Sequence, residues 1–321
     1  MEKDNVNTKP FAGLSSALVL LLLVGCGGGS RTGTNEGGAG ASGAPAKSQD
    51  GRAGAPSGGQ PERPLAGKTL ELFVGSASKP PTEQCAKLFE EKTGARLLTH
   101  FGGSGLMLSQ AKLSERGDIY FPGSSDFMEL AKREGLVLPE TEQVVVYLVP
   151  AINVPRGNPK GVFSLEDLCR PGTKVGIARP DTVCVGLYAV EVLEKAGLGK
   201  KARPNIATYA ESCEKTAQLV ALGSVDAVIG WSVFEHWNPD KIQTVPLPPE
   251  RVSRIGYIPV AILRGSREPE LARAFIAFLR GEEGLAVFRK WHYFTTEAEA
   301  RRLALPTTPV GGEWPLPEEW K

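Results

Sequence analysis

The residues best suited to chemistry stand where short turns lead into predicted helices. Ser104 lies in the run Gly-Gly-Ser-Gly at 102–105, directly before an amphipathic segment. A helix N-terminus presents free backbone N–H groups and partial positive charge, and a serine hydroxyl adds an adjustable donor. The run is not a nucleophile elbow, because Leu106 occupies the final glycine position, and it lacks the lysine of a phosphate-binding loop. We therefore interpret Ser104 as a donor at a helix N-terminus.

A pair of cysteines occupies similar positions, since Cys184 and Cys213 each stand near the start of a predicted helix. One interpretation is apolar packing or a structural disulfide. A second is a thiol site for a soft species such as Cu(I) or arsenite, with Met107 as a further ligand, because thiolates select soft species. A third is a redox-labile pair. With Cys85 and Cys169, three disulfide pairings are open, and the sequence does not choose among them.

The three histidines offer no metal-ligand spacing, and no H-E-x-x-H motif occurs. A Cys-dependent hydrolase using Cys184 and His236 is an alternative of a different class, but no local motif supports it. We predict a protein that is not an enzyme and that has no resident cofactor or metal ion.

The net charge and the N-terminal residues indicate which functions are excluded and where the protein is located. The chain has 321 residues, with 37 Lys and Arg against 36 Asp and Glu, which argues against the basic face that nucleic-acid binding requires. The apolar run at 14–24 is shorter than the ~20 residues of a membrane span and is typical of a secretory signal. It ends in Leu-Val-Gly-Cys, which resembles a bacterial lipobox and predicts a signal peptide at 1–26 with lipidation at Cys26. The Gly-rich segment 27–66 predicts a disordered tether.

Strands alternate with helices through the remaining residues, which predicts an α/β protein with mostly parallel sheets. The predicted strands are 69–74, 96–101, 119–121, 144–149, 174–178, 205–209, 225–229 and 257–263. The predicted helices are 79–92, 106–116, 127–133, 184–196, 212–222, 269–280 and 283–290. The Pro-containing segments 150–161 and 237–250 are predicted as crossings between two lobes. In such sheets, ligands bind at the carboxyl ends of the strands, where the helices begin.

Several segments, in this order and spacing, resemble the molybdate-binding family of bacterial ABC-transporter solute-binding proteins. They are residues 73–78, 89–94, 101–105, 155–160, 164–168, 180–189 and 223–230. The resemblance implies the type II periplasmic binding protein fold, in which a ligand cleft separates two lobes. We expect one lobe at 67–149 plus 245–305, the other at 150–244, and an irregular tail at 306–321.

The resemblance also implies which residues hold the ligand. Serines from the first two loops correspond to Ser104 and to either Ser76 or Ser78. Backbone amides from the last two loops correspond to Val185 with Cys184 and to Cys213. The family's binding tyrosine corresponds to Trp231, whose indole N–H donates one hydrogen bond but accepts none.

These expectations describe a monomeric, lipid-anchored extracytoplasmic protein that performs no chemistry. It would bind a tetrahedral oxoanion, molybdate or tungstate foremost, and deliver it to an ABC permease. The alternative within the same fold is a soft metal or metalloid held by Cys184 and Cys213, with Met107 as the further ligand.

Overall fold

The computed structural model describes residues 64–321. The expected signal peptide at 1–26, its Cys26, and all of the expected tether before residue 64 lie outside the described residues. None of the helices in the described part is long and apolar enough to cross a membrane.

Strands and helices alternate along most of residues 64–321. The strands are β1 (Thr69–Gly75), β2 (Arg96–Gly102), β3 (Ile119–Phe121), β4 (Gln143–Leu148), β5 (Pro150–Pro155), β6 (Val175–Ala178), β7 (Ile206–Ala210), β8 (Ala227–Trp231), β9 (Ile242–Pro246) and β10 (Gly256–Ile262). The α-helices are α1 (Lys79–Thr93), α2 (Ser104–Ser114), α3 (Ser125–Arg133), α4 (Cys184–Lys195), α5 (Gly199–Ala202), α6 (Cys213–Ala221), α7 (Phe234–Trp237), α8 (Pro269–Arg280), α9 (Glu282–Lys290) and α10 (Glu297–Arg301).

Two five-stranded sheets of the same design organise these elements. The first has the order β2-β1-β3-β10-β4 and the second has the order β7-β6-β8-β5-β9. In each, the first three strands are parallel and the last two run antiparallel to their neighbours. Helices α1, α2, α3, α8 and α9 pack on the first sheet, and α4, α6 and α7 pack on the second. We call each sheet with its helices a lobe, and the predicted α/β class is confirmed.

Local sequence signals account for several element ends. Leu70, Leu72 and Val74 alternate along β1 and are fully buried, as expected for a strand with an inward face. Helix α1 ends at Gly94, whose φ of 76° lies in the left-handed region that glycine adopts without strain. Helix α2 begins two residues earlier than predicted, so Ser104 is its first residue.

The predicted crossings were wrong in detail. The segment 150–161 was predicted as a crossing between the lobes, but its first half is β5, which pairs with β8 and β9 in the second sheet. The chain therefore first passes from the first lobe to the second at Val149, between β4 and β5. The apolar sequence runs through both β4 and β5, which hid the boundary between them. The segment 237–250 likewise contains β9, which extends the second sheet to Pro246 rather than to 244.

The last residues are largely irregular, as expected, but they are packed. Val310 forms a bridge with Ile255, and Trp320 is buried in the apolar cluster of the second lobe. Gly312 O accepts a hydrogen bond from Ser125 Oγ, at the start of α3 in the first lobe. The segment after 306 therefore contacts both lobes.

The largest apolar cluster is continuous across the two lobes. It contains Val74 and Phe121 from the first sheet together with Val185 and Val228 from the second lobe. The lobes are in direct contact in this structure. The carboxyl ends of β2, β6 and β7 lead into α2, α4 and α6, which begin between the lobes.

Candidate ligand-binding site between the lobes

Three helices begin at the interface between the lobes, and their first residues are Ser104, Cys184 and Cys213. Each is preceded by a residue in extended conformation, so the backbone turns sharply into the helix. Free N–H groups are found only in the first turn of a helix, where the dipole also concentrates about half a positive charge. The structure therefore brings three positive helix ends to one place.

The glycines before Ser104 allow this close approach. A side chain at Gly103 would come within 2.9 Å of Glu211 O and 3.0 Å of Thr182 O, both in loops of the second lobe. One residue further, Gly105 N–H donates to Thr182 O at 2.8 Å. The Gly-Gly-Ser-Gly run thus lets backbone from one lobe lie directly against backbone from the other.

A continuous series of contacts joins the predicted site residues. Gly123 N–H donates to Ser104 Oγ at 3.0 Å, and the Ser104 hydroxyl hydrogen-bonds the Cys184 thiol. Cys184 Sγ lies 3.5 Å from Cys213 Sγ. The backbone N–H of Cys213 donates to Ser76 Oγ at 3.0 Å. Ser76, Ser104, Cys184 and Cys213 are each 1% exposed, so the whole series is shielded from water.

The structure gives different hydrogen-bond partners to Ser76 and Ser78, between which the sequence did not choose. Ser76 reaches across to the second lobe, as described above. Ser78 Oγ instead accepts a hydrogen bond from Thr82 Oγ1 at 3.1 Å, within the first turns of α1. Both lie in a short 3-10 turn at Ser76–Ser78, which points their side chains in different directions.

The remaining predicted site residues are Val185, Trp231 and Met107, and each has different neighbours. Val185 is fully buried, and its backbone N–H hydrogen-bonds the Cys184 sulfur. Trp231 ends β8 and packs edge-on against Tyr188 with 4.8 Å between ring centroids. Trp231 is fully buried, and its Nε1 has no hydrogen-bond partner within residues 64–321. Met107 packs with Phe73 in a separate apolar cluster, so the structure does not bring it together with the two thiols.

Both thiols at the helix starts are free, as are Cys85 and Cys169. Burial raises the pKa of the Cys184 thiol well above its usual range, and the adjacent Cys213 thiol raises it further. Cys184 is therefore a protonated thiol at neutral pH. Across residues 64–321, no three His, Cys, Asp or Glu side chains are grouped closely enough to hold a metal ion.

Arg254 is a buried arginine near the site that was not predicted from the sequence. Arg254 is 3% exposed and forms ion pairs with Asp126 at 3.0 Å and Glu191 at 2.9 Å. Its guanidinium also lies 4.2 Å from the Tyr188 ring centroid. Asp126 belongs to α3 of the first lobe and Glu191 to α4 of the second, so Arg254 links the lobes. Glu250, Arg251 and Ser253 precede it closely, so no local pattern marked Arg254 as buried.

An ion pair closes the outer edge of the same interface. Lys79 Nζ, at the start of α1, lies 2.9 Å from Glu214 Oε1, which directly follows Cys213. Both side chains are partly exposed and line a cavity of about 270 Å³ together with Trp237. Because such a pair contributes little in water, it can open when the lobes separate.

Comparison with known proteins assigns the class. Residues 70–294 match the family of bacterial extracellular solute-binding proteins. The molybdate-binding protein ModA of Rhodobacter capsulatus is 23% identical over 235 residues, which cover 72% of this chain and 90% of that protein. The solved periplasmic molybdate-binding protein of Azotobacter vinelandii aligns with a TM-score of 0.62 at 19% identity, covering 71% of this chain and 100% of that one. The sulfate-binding protein SubI of Mycobacterium tuberculosis H37Rv also aligns with a TM-score of 0.62, at 14% identity over 76% and 94% of the two chains.

The chain belongs to the bacterial extracellular solute-binding proteins, because the match covers most of its length. It is a solute-binding protein of the ABC-importer class with the two-lobed periplasmic binding protein fold, as predicted. Its relatives are binding proteins rather than enzymes, which confirms that prediction and removes the hydrolase alternative. In agreement, His236 stacks on His292, and the Cys184 thiol instead contacts the Cys213 thiol.

Proposed function

We propose that this protein binds a tetrahedral oxoanion between its lobes, molybdate or tungstate foremost, and delivers it to an ABC permease. One observation carries the proposal: the first residues of α2, α4 and α6 meet between the lobes. Positive helix ends repel one another, and an anion among them converts that repulsion into attraction. The names of the relatives favour molybdate within the class of oxoanions.

The groups around this point suit reversible binding. Ser76 and Ser104 supply hydroxyls from the first lobe, and the starts of α4 and α6 supply backbone N–H groups from the second. None of these donors carries a formal charge, so no strong ion pair would have to break for release. Arg254 is occupied by two carboxylates and lies behind Tyr188.

Ligand entry requires the lobes to separate, because the site residues are buried and in contact. We infer that the chain crossings at Val149 and after Pro246 act as the hinge. An anion that contacts both lobes at once stabilises the closed arrangement, which is how a ligand shifts such an equilibrium. The site residues would then move apart by the space that the anion occupies.

We further propose that Cys26 is lipidated and becomes the first residue of the mature protein when residues 1–25 are removed, and that 27–66 tethers a monomeric binding domain to the membrane. The lipobox-like Leu-Val-Gly-Cys sequence and the Gly-rich composition support this. The anchor would keep the protein near its permease.

Isothermal titration calorimetry of the purified chain with molybdate, tungstate, sulfate and phosphate tests the proposal. We expect saturable binding of one molybdate per chain, weakened about tenfold or more in Ser104→Ala. Ser109→Ala is the matched control, because Ser109 is an exposed residue of the same helix. Saturable binding of sulfate or phosphate in preference to molybdate would overturn the ligand assignment, and no binding of any oxoanion would overturn the function.

A further inference from the structure

Cys184 and Cys213 form an isolated dithiol with a defined spacing. Their Sγ atoms are 3.5 Å apart, and both side chains are 1% exposed. Both belong to the second lobe, at the first positions of α4 and α6, so their spacing does not depend on closure. Opening of the cleft would expose the pair from the side of Ser104 and Gly123.

We propose that this dithiol binds a trivalent thiophilic metalloid, of which arsenite is the representative, as a bidentate ligand in the cleft. The inference rests on the proposed function in one respect, namely that solutes enter the space between the lobes. It adds a second class of ligand, which is held by covalent bonds to sulfur rather than by backbone N–H groups.

The spacing of the sulfurs selects the coordination geometry. With sulfur bonds of about 2.3 Å, as for zinc thiolates, two sulfurs 3.5 Å apart subtend an angle of about 100° at the bound atom. A linear two-coordinate ion such as Cu(I) would need the sulfurs about 4.6 Å apart by the same arithmetic. An angle near 100° is that of a pyramidal centre with a lone pair. The pair therefore fits an angular metalloid better than a linear metal ion.

The surroundings also favour a metalloid over a metal with more protein ligands. A structural zinc ion needs four ligands, and residues 64–321 contain no cluster of three His, Cys, Asp or Glu side chains. Met107, the third ligand expected from the sequence, lies in a different apolar cluster. A pyramidal metalloid needs only one further ligand, which its own hydroxyl supplies. The Ser104 hydroxyl beside Cys184 and the helix N–H groups can hydrogen-bond that oxygen.

The chemistry requires no oxidant or reductant. Arsenite at neutral pH is the uncharged acid As(OH)3, and it condenses with two thiols. Two As–O bonds and two S–H bonds break, two As–S bonds form, and the two hydroxides leave as water with the thiol protons. Arsenic stays trivalent throughout. Each of the two thiols supplies the proton that one leaving hydroxide needs.

The test measures arsenic retained by the protein. The purified chain is reduced with a phosphine, incubated with arsenite, desalted, and analysed for arsenic by mass spectrometry. We expect one arsenic atom per chain in the wild type and at least a tenfold loss in both Cys184→Ser and Cys213→Ser. Cys169→Ser is the matched control, because Cys169 is a half-buried thiol away from the pair, and it should retain the arsenic. No retention by the reduced wild type, or equal retention by the Cys184 and Cys213 variants, would overturn the proposal.

A molybdate titration of the same samples separates this inference from the proposed function. We expect arsenite-loaded wild type to lose molybdate binding, because both ligands occupy the space between the same helix ends. The Cys169→Ser variant should bind molybdate without arsenite and lose that binding with arsenite, as the wild type does. Molybdate binding without arsenic retention refutes only the dithiol inference. Arsenic retention without binding of any oxoanion refutes only the proposed function, and undiminished molybdate binding by arsenic-loaded protein would place the metalloid outside the cleft and contradict the inference.

Discussion

The backbone N–H of Cys213 donates a hydrogen bond to Ser76 Oγ at 3.0 Å, joining a helix start in the second lobe to a turn in the first. Both residues are 1% exposed. A hydroxyl that accepts from one lobe can still donate its own proton to a ligand. In the proposed function, Ser76 would contact the anion and the opposite lobe at the same time.

Replacing Ser76 with Ala should weaken molybdate binding about tenfold, equivalent to about 1.4 kcal/mol. The variant loses a donor to the anion and leaves the buried Cys213 N–H without its acceptor. Calorimetry measures the effect. Ser78→Ala is the paired control, and it should change the affinity less than about threefold, because Ser78 hydrogen-bonds only within α1. Equal losses in both variants would show that Ser76 has no special position.

Replacing Arg254 with Met should lower the free energy of unfolding by about 3–5 kcal/mol, because Asp126 and Glu191 would remain buried without their cation. Urea denaturation measures the change. Arg251→Met is the control, since Arg251 pairs with Glu166 at the surface, and such pairs contribute less than about 1 kcal/mol. A loss below about 1 kcal/mol for the Arg254 variant would contradict its role as a link between the lobes.

Two histidines should make the folded state sensitive to acid. His236, from α7 of the second lobe, stacks on His292, which follows α9 of the first, with 3.6 Å between ring centroids. Burial, followed by the charge of His292, lowers the pKa of His236, while Glu235 opposes the shift. Lys290 lines the same cavity and places a further positive charge nearby. Protonation of His236 is thus disfavoured in the folded protein.

The sign of the pH dependence follows from this lowered pKa. The unfolded chain takes up the proton first as the pH falls below about 6.5, so the free energy of unfolding should decrease from that point downwards. Urea denaturation between about pH 5 and 7 should show a flatter dependence for His292→Asn, which tolerates the φ of 62° at this position. His100→Gln is the control, as His100 is exposed and pairs with Glu71. An unchanged pH dependence in His292→Asn would refute the prediction.

Much of the fold could be predicted from the sequence, because the signals that mark its helices and strands are local. Gly94 ends α1 by its left-handed conformation, and the alternating apolar residues of β1 mark a strand. The boundary at Val149 could not be predicted, because an apolar run at 144–152 spans the end of β4 and the start of β5. Which strands share a sheet depends on pairings distant in sequence, such as β5 with β9.

The candidate site likewise has features that local sequence signals predict and features that they do not. The helix starts at or near Ser104, Cys184 and Cys213 could be predicted from glycine, serine and periodic apolar residues. The choice between Ser76 and Ser78 depends on the 3-10 turn that holds both, which no local pattern specifies. Arg254 was missed because its partners, Asp126 and Glu191, come from different lobes.

The most direct test of the central claim is a crystal structure with tungstate, located by the anomalous scattering of tungsten. We predict one strong peak between the starts of α2, α4 and α6, within hydrogen-bond distance of Ser76, Ser104 and backbone N–H groups of both lobes. No Lys or Arg side chain should contact the anion. A tungstate held by Lys or Arg side chains, or bound outside the space between the lobes, would contradict the account.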